Sequence, residues 1–147
     1  MAILEYLEET RPTSALLPTN AESRARVREI CSLIGCDIQP VQNLAVLKGV
    51  MALVSESKKN ATKMEWGKQW ITRGLSAVED LLKNTTSMYC VGEKVTLADL
   101  FLIPQVYNAK RFDVNISLFP RILNISEVLQ KLPEFQKAHP DVMPDAV

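Results

Sequence analysis

Apolar residues return every three or four positions along this chain and nowhere alternate in a sustained run, which constrains it to an all-α domain. Val27, Ile30, Cys31, Ile34, Ile38, Val41 and Ala45 keep a 3.6-residue rhythm that runs straight across Pro40. Proline lacks an N–H and its ring collides with the carbonyl four residues back, here that of Cys36. The spacing therefore predicts one long helix, kinked or broken near residue 40. A second stripe, Trp66, Trp70, Ile71, Leu75, Val78 and Leu82, predicts another helix after a polar turn over residues 55–62. Pro120 fits the first turn of a helix running to about Lys131, and Pro133 can start a final short one. Residues 2–9 read as a short helix ended by Arg11-Pro12, residues 13–20 as a linker, and the proline-interrupted residues 139–147 as an irregular packed tail.

The most sharply defined helix start follows a loop over residues 84–92. Thr96 stands at the N-cap with Asp99 three residues on, an aspartate in the place a capping box usually gives to glutamate. Val95 and Leu100 occupy the two positions of the matching hydrophobic staple. Thr96 and Asp99 are accordingly read as structural capping residues. Beyond them Leu100, Pro104, Tyr107 and Arg111 follow at spacings of four, three and four, which puts them on one side of the helix and ends that apolar side in a guanidinium. A planar guanidinium can grip a carboxylate through two parallel hydrogen bonds, a geometry lysine lacks. A salt bridge, for example to Asp113, is the alternative.

Charge excludes several partner classes. Lys+Arg and Asp+Glu both number 17, so no net field favours nucleic acid or an anionic membrane. Arg24, Arg26 and Arg28 form the only local basic group, and their spacing spreads them around a helix as a solvated face or subunit contact. The most apolar stretch, residues 44–54, is too short to cross a bilayer. The first residues bring Glu5, Glu8 and Glu9 rather than a basic region and an apolar run, so no secretory leader is expected. Cys31, Cys36 and Cys90 lack the spacing of a disulfide framework or a zinc site and are expected to pack as buried or half-buried thiols. With His139 the sole histidine and tail packing its expected role, no metal site is expected. The simplest setting is a reduced, cytoplasmic one.

The stretch VTLADLFLIPQVYNAKRF closely resembles the C-terminal helical domain of zeta-class glutathione transferases. The resemblance continues through RPTSALLPTNAESRARVREI, CDIQPVQNLAVLK and LPEFQKAHPDVMPDA, and so covers nearly all of the chain. The T-x-x-D box is shared by glutathione transferases generally; DIQPVQNLAVLK and PQVYNAKRF are the narrower, class-level signals.

The resemblance implies that residues 1–12 are the last helix of a thioredoxin-like domain, residues 13–20 an interdomain linker and residues 21–147 the helical domain. It places the motif that activates glutathione in the thioredoxin-like domain, so no catalytic residue is expected in this chain. It implies that Gln39, Asn43, Leu44 and Ala45 line the glutathione site or the adjoining subunit contact, and that Arg111 binds a substrate carboxylate. The residues alone support a second reading of Gln39 and Asn43, as capping groups around the bend at Pro40. The expected activity is isomerisation of maleylacetoacetate in tyrosine and phenylalanine breakdown, by a cytosolic homodimer that uses glutathione and a dicarboxylate substrate, with no metal. A noncatalytic helical interaction module is the alternative.

Overall fold

The computed structural model describes Met1–Pro144. Residues 145–147, part of the expected tail, lie outside the described residues. The elements are α1 (Ala2–Thr10), α2 (Ala21–Ser32), a π-helical turn (Leu33–Ile38), α3 (Gln39–Val41), α4 (Leu44–Ala52), α5 (Lys59–Leu82), α6 (Leu97–Arg111), α7 (Pro120–Leu129) and α8 (Pro133–Lys137). Among the described residues there is no strand, and the fold is the all-α one expected.

The core forms where α2, the π turn, α5 and α7 surround α6. Val27, Ile30 and Cys31 from α2 and Ile34 from the π turn are fully buried, as are Ile71, Leu75, Val78 and Leu82 from α5 and Leu102, Val106 and Ala109 from α6. Cys31 and Cys90 are buried, and burial pushes the Cys31 thiol up to about 12 and the Cys90 thiol up as well, which leaves both protonated. Cys36 departs from the expectation. It is exposed, because the five-residue gap turns it to the other side from Cys31.

The helix is broken near Pro40, as expected, but the break comes after the proline and a π turn precedes it. The helix widens before the proline, over the six residues of the π turn, with the Gln39 N–H reaching back to the Ile34 carbonyl. It then breaks two residues after the proline, and a new helix starts with Asn43 as its N-cap. A π turn shifts the phase of everything beyond it. The buried rhythm accordingly stops at Ile38; Val41 is half-buried, Ala45 is exposed, and Leu47 takes over as the buried residue of α4. The Val41 carbonyl, freed at the break, accepts the Trp66 indole N–H at 2.8 Å. By length and composition residues Ala21–Ala52 could cross a membrane. The stretch is not one continuous α-helix, since it breaks at Asn43, and its buried residues pack against α5 and α6.

Carboxylates from other elements secure the linker before α2 and the start of α7. Glu8 of α1 accepts from the N–H groups of Leu16 and Leu17 at 2.7 and 3.0 Å. Arg28 grips Glu5 in a two-pronged pair at 2.7 and 3.0 Å, which holds the Glu5 carboxyl below its usual pKa and fixes α1 to α2. The solvated-face reading therefore fails for Arg28, while Arg26 pairs locally with Glu29. At α7, Pro120 occupies the first turn and no local side chain caps it; Glu79 of α5 accepts from Arg121 and Ile122 N–H at 2.8 and 3.0 Å. Glu79→Ala should destabilise the domain by roughly 1–2 kcal/mol, in the range of a lost N-cap. Urea unfolding of the two proteins checks this, and an unchanged midpoint would mean that water serves those two N–H groups equally well.

Candidate functional site

Helix α6 begins and ends under tight control. The reciprocal capping box between Thr96 and Asp99 is formed. Asp99 does most of the bonding: its Oδ2 accepts from the Thr96 N–H at 2.8 Å and the Thr96 hydroxyl at 2.9 Å, and its Oδ1 from the Cys90 N–H at 2.9 Å. The carboxylate is fully buried and structural. At the other end Asp113 adopts φ 55, and the Val114 N–H bonds back to the Ala109 carbonyl at 3.1 Å while that of Asp113 reaches Lys110. This is the left-handed cap that helices usually build with glycine. It stops α6 at Arg111 and turns Phe112 inward.

Phe112 meets Gly67 of α5. A Cβ on Gly67 would overlap the Phe112 ring, so the bare backbone is what lets α5 approach the end of α6 here. The approach has a chemical consequence. Lys63 and Met64, one turn earlier on α5, come beside Arg111, and together with Gln42, Leu44 and Asn108 they line a cleft of about 280 Å³. Leu47 and Phe112 complete its walls.

An amide network ties the cleft to the core. Gln42 Nε2 donates to Gln105 Oε1 at 2.6 Å, and Asn108 Nδ2 donates to Gln42 Oε1 at 2.7 Å. Gln105 is buried, so its amide is held rigidly and fixes Gln42 in turn. The network spends the Gln42 amide on protein partners and leaves the cleft's cations available. No ion pair involves Arg111 or Lys63 among the described residues; in particular Arg111 is not paired with Asp113.

Of the residues expected at the site, Arg111 and Leu44 share this cleft. Gln39, Asn43 and Ala45 are exposed and do not line it. Asn43 caps α4, its Oδ1 accepting the Ala45 N–H at 3.2 Å. The expected apolar side of α6 is also redrawn: Leu100, Pro104 and Tyr107 border a separate groove of about 290 Å³ against α8 and the tail, whereas Arg111 opens on the cleft. In that groove the Tyr107 hydroxyl bonds Asp141 at 3.1 Å, which raises the Tyr107 pKa, and its ring meets His139 edge-on. Gln42, Asn108 and Lys63 were not foreseen: the two amides lie within the class-level stretches DIQPVQNLAVLK and PQVYNAKRF but were given no role there, and Lys63 lies in no motif. For Lys63 the bare glycine one turn later was the local hint.

Trp66 and Trp70 are half-buried and tilted against each other at 5.7 Å, a packing pair rather than an open platform. Among the described residues no cluster of His, Cys, Asp or Glu is arranged to hold a metal ion. The cleft thus offers two cations, amide edges and an apolar wall, but no thiol or carboxylate to act on a ligand.

Residues 46–142 match the glutathione S-transferase C-terminal domain family. A probable maleylacetoacetate isomerase 2 of Drosophila melanogaster is 48% identical over 99% of this chain and 60% of its own length. Among solved structures, a maleylacetoacetate isomerase of Anaeromyxobacter dehalogenans 2CP-1, with dicarboxyethyl glutathione and citrate bound in its active site, superposes with TM-score 0.93 at 39% identity, over 100% of this chain and 64% of that one. A maleyl pyruvate isomerase, a bacterial glutathione transferase of the zeta class, gives TM-score 0.92 at 37% identity over 99% and 69%. The chain thus spans under two thirds of the length of the first two of these relatives.

Proposed function

Because the chain belongs to the zeta class of glutathione transferases, by way of their C-terminal helical domain, we propose that it is the substrate-side domain of a glutathione-dependent cis–trans isomerase acting on maleylacetoacetate. The observation that carries this reading is the Arg111 guanidinium, without an ion pair among the described residues, lining a cleft braced by the Gln42–Gln105–Asn108 amides. The related structure holding a dicarboxyethyl conjugate of glutathione supports it, since a conjugate of that kind is what addition of a thiol to an unsaturated dicarboxylate forms.

In such a reaction the glutathione thiolate adds to one carbon of the cis double bond and the electron pair moves onto the adjoining carbonyl oxygen. The former double bond, now single, rotates. The electron pair then returns, the carbon–sulfur bond breaks, and the trans isomer leaves with the thiolate regenerated. Arg111 holds a carboxylate of the substrate through these steps, so that rotation occurs about a fixed end. The buried, protonated thiols of Cys31 and Cys90 take no part. Glutathione is the cosubstrate, the working form is a cytosolic homodimer, and the pathway is tyrosine and phenylalanine breakdown. The glutathione-binding role of Gln39, Asn43, Leu44 and Ala45 belongs to this proposal. Exposure of their side chains leaves them available to a ligand or a second subunit.

Joined behind the thioredoxin-like domain of a zeta-class relative, the chain should isomerise maleylacetoacetate. Arg111→Lys should then lower kcat/KM by roughly tenfold, because charge is kept but the fork is lost. Turnover of an uncharged electrophile should stay within twofold. A proportionate loss on both substrates would make Arg111 a support of the fold. The chain assayed alone should be inactive, and turnover comparable to the fusion would move the reacting groups into residues described above as structural.

A further inference from the structure

Two cations share the cleft, and only one of them has been given a task. Lys63 is half-buried on α5, one turn before Gly67, and the contact of Gly67 with Phe112 brings it to the same cleft as Arg111. Among the described residues no acidic side chain lines that space and neither cation is ion-paired. The neighbouring amides Gln42 and Asn108 are bonded to each other. Two like charges facing one cleft without a counter-ion repel, and a ligand carrying two negative charges relieves that repulsion at both ends. We infer that Lys63 is the second anchor of the cleft, binding one carboxylate of a dicarboxylate ligand while Arg111 binds the other, and so sets a preference for dianions over monoanions.

The inference rests on the carboxylate-binding reading of Arg111 and specifies its substrate class. Lys63 and Arg111 differ in what they can contribute. The guanidinium fork fixes orientation, whereas the ammonium on its flexible stem adapts to the reach of the second carboxylate. The anchors stand on different helices, α5 and α6, so their separation depends on the same helix contact that Gly67 permits.

The test titrates the chain, at low ionic strength where such pairs are least screened, with maleate as the dianion and crotonate as the monoanion, following methyl resonances of Met64 and Leu44 by NMR. Lys63→Gln should weaken maleate binding about fivefold, the effect of one partly exposed ion pair, and change crotonate binding by less than twofold. Lys63→Arg should restore maleate binding. Equal weakening of both probes would reduce Lys63 to a contributor of general positive potential, and unchanged maleate binding would remove it from the cleft; either overturns the inference. Neither glutathione nor turnover enters this readout. If the isomerase assay fails while the dianion preference stands, the proposed activity alone is lost; if the preference fails while Arg111→Lys still impairs turnover, Lys63 alone is lost.

Discussion

Asp99→Ala is expected to remove roughly 3–5 kcal/mol of folding free energy, since each buried donor left unpaired costs about 1–3 kcal/mol. The carboxylate is fully buried and accepts from three donors, the N–H groups of Cys90 and Thr96 and the Thr96 hydroxyl. The backbone donors cannot turn elsewhere, because one lies in the loop that enters α6 and the other is the N-cap itself. Relief of the buried charge offsets part of the loss, which keeps the expectation below the full sum of three orphaned groups. Asp99→Asn keeps one acceptor oxygen and should lose about half as much, and Thr96→Ala about 1 kcal/mol. Denaturant unfolding gives all three values. A loss below 1 kcal/mol for Asp99→Ala would show that water enters the site and that the box is a local cap only.

The same substitution at two glycines should have opposite signs. Gly49 lies inside α4 with open space around the position of a Cβ, so Gly49→Ala should stabilise by about 0.5–1 kcal/mol through helix propensity alone. Gly67→Ala gains the same propensity within α5 but drives a methyl into the buried Phe112 ring. Overpacking of this kind costs about 1–3 kcal/mol or more, and an aromatic ring wedged at a helix end cannot step aside as a flexible chain would. The net expectation is a loss of about 2 kcal/mol. Because the ring also sets the distance from α5 to Arg111, Gly67→Ala should weaken maleate binding as well, which Gly49→Ala should not. Equal stability of the two variants would mean that α5 and α6 slide apart freely at this point.

Helix placement was largely legible from local signals. The period of the apolar residues identified α2 and α5, Pro120 marked the first turn of α7, and the Thr96–Asp99 spacing located the start of α6, because a capping box and a staple act within one turn. The end of α6 was not legible, since an aspartate takes the left-handed position where glycine would have been the signal. The break near Pro40 was legible, but the apolar rhythm expected to continue to Val41 and Ala45 was misread for a related reason. Periodicity assumes a constant 3.6 residues per turn, and the π turn changes that count just before the proline.

Sequence by itself determined the all-α class, the buried stripes, the capping role of Asp99 and the candidacy of Arg111, all of which depend on residues within a turn or two of one another. Tertiary structure decided the rest. It brought Glu79 to the start of α7, Glu8 to Leu16 and Leu17, Gln42 to Gln105 and Asn108, and Lys63 to Arg111. The physical reason is that a carboxylate or amide can serve any donor within reach, so its own neighbours in sequence do not say which. That choice is made by how closely the helices approach, and here the approach of α5 is set by two missing side chains, Gly67 against Phe112 and Gly74 against Ile38.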